Sequence, residues 1–201
     1  MVALGRLRSD ARIGEFRNWA SCYPSSATAT FGHKLPVESG FPTKMKRNLL
    51  MSFAKLSHVN LHRPETIVNG ATTTQRDSAD FLVDGESLLA RLVKMHGGHG
   101  DFMGCFVRGF SEDNAQALNE LLFEVDARSG QRRVAIYICP EWGDIECGIF
   151  SVMVELRADE VIWSKFAYEN GDDEPSVFEE IGPFKFALLQ YEKAVHRSAE
   201  I

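Results

Sequence analysis

The sequence predicts an α+β fold in which a mainly antiparallel sheet of about four to five strands packs with about three helices. Two observations favour this class. The last three predicted strands follow one another with no helix between them, which is typical of hairpins. A doubly wound parallel sheet would need a helix between successive strands, and this part of the chain has no helical pattern there.

Hydrophobic spacing predicts the order strand, helix, strand, helix, three strands, helix. Leucines recur at helical spacing in the helices, and a continuous apolar run at residues 134–138 is typical of a buried strand. Strict alternation within residues 160–168 predicts a half-buried strand. The predicted elements are strands 81–83, 102–110, 134–138, 148–156 and 160–168, and helices at about 86–96, from Ser111 to about Val125, and through Leu188 to Val195.

Turn and cap residues separate these elements. Gly97 is expected to end the first helix in the left-handed conformation. Ser111 followed by Asn114 predicts an N-cap at the start of the second helix. Residues 182–186 are interpreted as a tight turn that leads into the last helix.

Charge divides the chain into two unlike parts. Residues 1–76 carry 11 Lys and Arg against four acidic residues, which gives +7, whereas residues 77–201 carry 11 against 24, which gives −13. Such a difference in sign indicates parts with different roles. We therefore expect an irregular or disordered basic segment over 1–76, including the possibility of a start codon assigned too early, and one α+β domain over 77–201.

Composition excludes several classes of protein. The chain is 44% hydrophobic, and no apolar run approaches the ~18–20 residues that would span a bilayer. No secretory signal peptide is recognisable, so we expect a cytoplasmic protein. Phosphate-binding glycine loops are missing from the sequence, and nucleic-acid binding is expected only if the basic amino-terminal segment provides it.

The most unusual segment runs from Cys139 to Gly148 and joins two predicted strands. It places two cysteines at the mouth of a hairpin, with Trp142 and three carboxylates between them, which are Glu141, Asp144 and Glu146. One interpretation is structural: both cysteines are small buried side chains at strand ends. Acid–base catalysis by the carboxylates is a second interpretation, which requires burial that separates their pKa values.

Two further hypotheses involve the thiols. A zinc site would combine Cys139 and Cys147 with Cys105, or with His96 and His99, although the spacing is not that of zinc knuckles. Opposing cysteines at a hairpin mouth could also form a redox pair. The surrounding carboxylates oppose that role because they raise a thiol pKa.

The segment belongs to a longer pattern, which consists of Cys139-Pro140-Glu141, Gly143-Asp144, Cys147-Gly148, Val161-Ile162-Trp163, Phe166-Ala167-Tyr168-Glu169-Asn170 and Gly182-Pro183-Phe184-x-Phe186. This pattern resembles a family of small uncharacterised bacterial proteins, a few of them labelled oxidoreductase. The resemblance covers about residues 80–201 and implies no catalytic residues. In that family the position of Trp142 is often cysteine, so this chain lacks the middle thiol of the pattern.

The sequence favours a non-enzymatic protein-binding module, regulatory or immunity-like, that takes a basic protein partner and needs no cofactor. An acidic domain attracts such a partner, and an exposed tryptophan can anchor an interface. The alternative is a thiol- or metal-dependent, oxidoreductase-like protein centred on the Cys139–Cys147 hairpin. The predicted binding residues are Trp142, Glu141, Asp144, Asp172 and Asp173.

Overall fold

The computed structural model describes residues 52–68, 71–123, 130–141, 143, 147–171 and 174–201. Within these residues the helices are α1 (Leu88–His96), α2 (Ser111–Leu122) and α3 (Leu188–Ala199). The strands are β1 (Leu56–Arg63), β2 (Thr66–Val68), β3 (Ala71–Thr73), β4 (Arg76–Val83), β5 (Glu86–Ser87), β6 (Met103–Gly104), β7 (Gln131–Ile138), β8 (Ile149–Arg157), β9 (Glu160–Glu169), β10 (Ser176–Val177) and β11 (Phe184–Ala187).

The strands of the described residues pair in three antiparallel sheets. The largest has six strands, in the order β10-β9-β8-β7-β6, and β11 also pairs with β9. A second sheet has the order β1-β4-β5, and β2 pairs with β3 in a two-stranded ladder. The α+β class predicted from the sequence is confirmed.

The two larger sheets meet where β4 passes beside β6. The amide of Gly104 donates to Ser78 Oγ at 3.0 Å, and the amide of Ala79 donates to the Phe106 carbonyl oxygen at 3.0 Å. A methyl group on Gly104 would overlap the carbonyl oxygen of Ala79. Glycine at this position therefore permits a close approach of two backbones that any side chain would prevent.

An aromatic cluster fills the core between the sheets and helices. Trp163 is fully buried on β9 and makes edge contacts with four rings at centroid distances of 5.4–6.4 Å, those of Phe81, Phe166, Phe186 and Tyr191. Helices α1 and α3 add buried leucine, tyrosine and valine side chains from their inner faces. These large side chains provide most of the apolar burial that stabilises the domain.

Regular structure begins earlier in the chain than the sequence analysis expected. Strand β1 pairs with β4 from Leu56 opposite Val83 to Arg63 opposite Arg76, and Leu56 is buried. Residues 56–63, 66–68 and 71–73 are therefore strands, although they fall within the segment predicted to be irregular. Their polar residues concealed the pattern because β1 lies at the edge of its sheet and keeps several side chains exposed.

Two local predictions between α1 and α2 were wrong. Only Met103–Gly104 forms a strand within residues 102–110. The N-cap of α2 is Phe110, which makes no side-chain capping bond. Asn114 instead uses its amide group on the backbone of Val107, accepting from the nitrogen at 2.8 Å and donating to the oxygen at 3.0 Å.

Other boundaries agree more closely with the predictions. Gly97 ends α1 with a φ of 71°, as predicted, and donates its amide to the Val93 carbonyl oxygen. The tight turn predicted over residues 182–186 is wrong in its second half, because Phe184–Ala187 forms β11 against β9.

None of the described helices is long and apolar enough to cross a membrane.

Candidate functional site

The loop that joins β7 to β8 carries most of the candidate residues. Cys139 is buried, and its carbonyl oxygen accepts the amide of Gly143 at 3.0 Å, which closes a turn. Glu141 is partly buried within that turn, and Cys147 is partly buried near its end. The candidates that lie outside the described residues are Trp142, Asp144, Glu146, Asp172 and Asp173.

The guanidinium of Arg63 holds this loop against the end of β1. Its Nη1 donates to Glu141 Oε1 at 2.7 Å and to the Thr74 carbonyl oxygen at 2.8 Å. Its Nε and Nη2 donate to the two carboxylate oxygens of Asp101 at 2.8 and 2.7 Å. Two parallel hydrogen bonds between a guanidinium and a carboxylate fix the orientation of both groups and also strengthen their attraction. The hydrogen bonds that Arg63 donates to Asp101 and to Glu141 raise the pKa of Arg63 against the opposing effect of burial.

Glu141 therefore has a partner that the sequence did not reveal. Its carboxylate also accepts the amide of Thr74 at 3.4 Å, so it links the loop to the residues that follow β3. An ion-paired carboxylate in this position anchors the loop. Arg63 lies 78 residues away in sequence, within the segment expected to be irregular, and no local pattern pointed to it.

The three described cysteines are thiols in the structure. Cys105 is buried, and this burial, with a smaller contribution from the charge of Glu120, raises the pKa of its thiol to about 12. Among the described residues, no group of three or more histidine, cysteine, aspartate and glutamate side chains is placed to hold a metal ion. The thiol- or metal-dependent alternative stays a prediction.

The two histidines considered as zinc ligands stack on aromatic rings. The His96 ring lies 4.0 Å from the Tyr168 ring centroid with 29° between their planes. The His99 ring lies 5.0 Å from that of Phe102 with 7° between planes. These contacts place both imidazoles over the aromatic side chains that surround Phe150.

We expect Cys105 to resist alkylation in the folded protein. At pH 8 a thiol of pKa about 12 is ionised to about one part in ten thousand, and the thiolate is the reactive form. Peptide-mapped mass spectrometry after iodoacetamide treatment should show labelling of Cys105 at least about a hundredfold slower than in urea-unfolded protein. Equal labelling rates in the two states would contradict the burial described for this thiol.

Strand β10 forms one edge of the six-stranded sheet. It pairs with Tyr168 and Ala167 of β9, and both of its own residues, Ser176 and Val177, are exposed. Val177 keeps 40% of its surface exposed and so offers an apolar contact beside the edge of the sheet. A strand at a sheet edge presents backbone groups to which another strand can pair.

Buried side chains directly after β10 hold this edge in place. Phe178 packs against Phe150 at a centroid distance of 6.2 Å, and its amide donates to the Phe166 carbonyl oxygen at 2.8 Å. Ile181 is also buried. The exposed residues around β10 are therefore presented by a fixed backbone.

The charge around β10 is strongly negative. Glu174, Glu179 and Glu180 are exposed beside the strand, and the sequence contains no lysine or arginine between Lys165 and Lys185. Glu169 belongs to the interior instead, where it bonds Ser151 and lies near Arg133. We call residues 174–180 the acidic edge.

No protein-family model, curated protein or solved structure matches this chain. The resemblance drawn from the cysteine hairpin and the residues that follow it accordingly stays a prediction.

Proposed function

We propose that this protein is a binding module whose acidic edge takes an extended, basic segment of a protein partner. The observation that carries the proposal is the exposed β10 edge, where Val177 lies among three exposed glutamates on a backbone anchored by Phe178. Addition of a strand to a sheet edge is a recurring mode of peptide recognition.

Each part of the acidic edge contributes a different term to binding. The backbone N–H and C=O of Val177 point away from β9 and supply hydrogen bonds that do not depend on the partner's sequence, and the Val177 side chain offers a small apolar contact. The glutamates select basic partners and speed their association, because opposite charges steer the encounter. The predicted contacts Asp172 and Asp173 precede this edge in sequence and would extend its negative charge.

The cysteine hairpin has a supporting role in this proposal. Arg63 and Glu141 fix the start of the loop that carries Trp142 and Asp144, which we retain as predicted contacts. Glu141 itself acts as a positioning residue, because its carboxylate is used by Arg63 and Thr74. The partner class is a basic protein segment, consistent with a regulatory or immunity-like role.

The probe for this function is a fluorescent eight-residue peptide that alternates lysine and valine. Its pattern suits a strand with one charged and one apolar face. The double variant Glu179→Lys and Glu180→Lys should weaken binding of this peptide by roughly tenfold or more, because two attractions become repulsions at the contact. Fluorescence anisotropy at low salt measures the affinity, which should fall as salt increases.

The control separates local charge from net charge. Glu86→Lys with Glu200→Lys makes the same change in net charge at exposed positions outside the acidic edge. This control variant should change the affinity by less than about threefold, and a peptide that alternates glutamate and valine should not bind. Equal losses in the two double variants would show that the acidic edge is not the binding site.

A further inference from the structure

The connection between β9 and β10 begins with an asparagine that is followed by a glycine, Asn170 and Gly171. Strand β9 ends at Glu169, and β10 returns along the same edge with Ser176 opposite Tyr168. Both residues of the Asn–Gly pair are exposed to solvent. The pair therefore leaves the sheet directly before the acidic edge.

Hydrogen bonds do not hold this pair in place. In the part of the chain that the structure describes, neither the Gly171 amide nor the side chain of Asn170 has a hydrogen-bond partner. Gly171 has a φ of 87°, a left-handed conformation that glycine adopts without strain. Because glycine has no side chain, its backbone nitrogen is open to approach by the preceding amide group.

The other asparagines of the described residues have a different environment. Asn60 lies within β1, whereas Asn114 and Asn119 lie within α2. Asn114 also uses both atoms of its side-chain amide on the backbone of Val107. None of these three asparagines is followed by glycine. A second Asn–Gly pair, at positions 69–70, lies outside the described residues.

We propose that Asn170 is a site of spontaneous deamidation, which adds a negative charge beside the acidic edge. Asparagine is a chemically labile residue. The Gly171 nitrogen bonds to the side-chain amide carbon of Asn170, and ammonia leaves with the proton of the Gly171 amide. Water then opens the resulting succinimide at either carbonyl group, which gives aspartate or its β-linked isomer, isoaspartate. Both products carry a carboxylate in place of a neutral amide.

The effect of this charge on binding rests on the proposed function, whereas the reaction itself does not. The sequence contains no lysine or arginine between Lys165 and Lys185 that would offset a new carboxylate. A carboxylate at position 170 should raise the affinity for the lysine–valine peptide about two- to fourfold at low salt. The charge of the acidic edge would therefore increase with the age of the protein, and so would its attraction for a basic partner.

Peptide mapping of the full chain detects the reaction directly. The protein is incubated at slightly alkaline pH, where the attacking amide loses its proton more readily, and is digested with trypsin at successive times. One tryptic fragment spans residues 166–185, and Asn170 is its sole amide side chain. This fragment should gain about 1 Da and separate into two isomers on chromatography. Fragments that contain Asn60, Asn114 or Asn119 should keep their mass over the same period.

Two variants at position 170 separate deamidation from other effects of incubation. Asn170→Gln keeps an uncharged amide, and its longer side chain forms the larger cyclic intermediate much more slowly. Asn170→Asp carries the charge of the product from the start. Incubated wild-type protein and fresh Asn170→Asp should both bind the lysine–valine peptide more tightly than fresh wild type. Incubated Asn170→Gln should bind it as fresh wild type does.

Each outcome bears on one part of the proposal. Conversion at Asn170 that is no faster than at Asn60 or Asn114 would overturn the assignment of the site. Conversion without any change in peptide affinity would overturn the link to the acidic edge, if Glu179→Lys with Glu180→Lys still weakens binding. If that double variant binds as wild type does, the proposed function is wrong and the modification site stands.

Discussion

Replacement of Asp80 by alanine is expected to lower the free energy of unfolding by about 3–5 kcal/mol, because three donors lose their acceptor at once. The Asp80 carboxylate is buried and accepts hydrogen bonds from the hydroxyl groups of Tyr137 and Ser87, both at 2.6 Å. It also accepts the amide of Leu89 at 3.4 Å, at the N-terminus of α1. Alanine would remove the acceptor of two buried donors, the Tyr137 hydroxyl and the Leu89 amide, and of the half-buried Ser87 hydroxyl, and each such loss costs free energy.

The position of Asp80 explains why the effect should be large. The carboxylate joins β4, β7 and the start of α1, and Tyr137 also accepts the amide of Phe81 at 3.1 Å. Burial and the neighbouring Asp80 carboxylate raise the pKa of Tyr137, which keeps its hydroxyl group protonated as a donor. Asp80 thereby links the two larger sheets to a helix through one side chain.

Urea unfolding followed by circular dichroism measures this effect. Tyr137→Phe is the milder variant for comparison, because Asp80 then keeps Ser87 and Leu89 as donors. This substitution should lower the free energy of unfolding by about 1–2 kcal/mol. Glu86→Ala, at an exposed position nearby, should change stability by less than about 0.5 kcal/mol. A cost below 1 kcal/mol for Asp80→Ala would contradict the role assigned to this buried network.

Replacement of Trp163 by alanine should lower the free energy of unfolding by about 3–5 kcal/mol. The side chain is fully buried at the centre of the aromatic core, and its Nε1 donates to the Tyr191 hydroxyl oxygen at 3.3 Å. Tyr191 in turn donates to the Leu121 carbonyl oxygen at 3.0 Å. The substitution removes ring contacts to β4, β11 and α3 together and leaves a large cavity.

Trp163→Phe is the control for this second prediction. Phenylalanine keeps most of the ring contacts but loses the hydrogen bond to Tyr191, so about 1–2 kcal/mol should be lost. The same urea unfolding experiment compares the two variants. Similar costs for alanine and phenylalanine would indicate that the hydrogen bond, and not ring packing, dominates at this position.

The sequence predicted the elements whose hydrophobic spacing is complete within one segment. Strands β7, β8 and β9 and helices α1 and α3 have clear apolar patterns, and their boundaries lie within a few residues of those predicted. Strand β1 was missed because it lies at a sheet edge and mixes leucine and valine with histidine and asparagine. Its pairing with β4 depends on residues about twenty positions away, which local periodicity does not reveal.

In the candidate site, too, the sequence revealed features formed by neighbouring residues and missed contacts between residues that are far apart in sequence. The acidic run after Glu169 was visible in the sequence because its residues are neighbours. The ion pairs of Arg63 with Glu141 and Asp101 were not, since they join three separate segments. One feature of the sequence did point to Asp80. It is an acidic residue between Ala79 and Phe81, directly before an apolar run, and such a position indicates a buried, hydrogen-bonded carboxylate.

Hydrogen–deuterium exchange during peptide binding shows which backbone amides a bound basic strand protects. The full chain is exchanged with and without the peptide that alternates lysine and valine, and exchange is followed for fragments that cover the three sheets. Slower exchange is expected within residues 174–178, where an added strand would accept a hydrogen bond from the outward-facing amide of Val177. Slower exchange confined to strands β1, β2 or β3, with none at residues 174–178, would contradict the proposal that the acidic edge binds a basic partner.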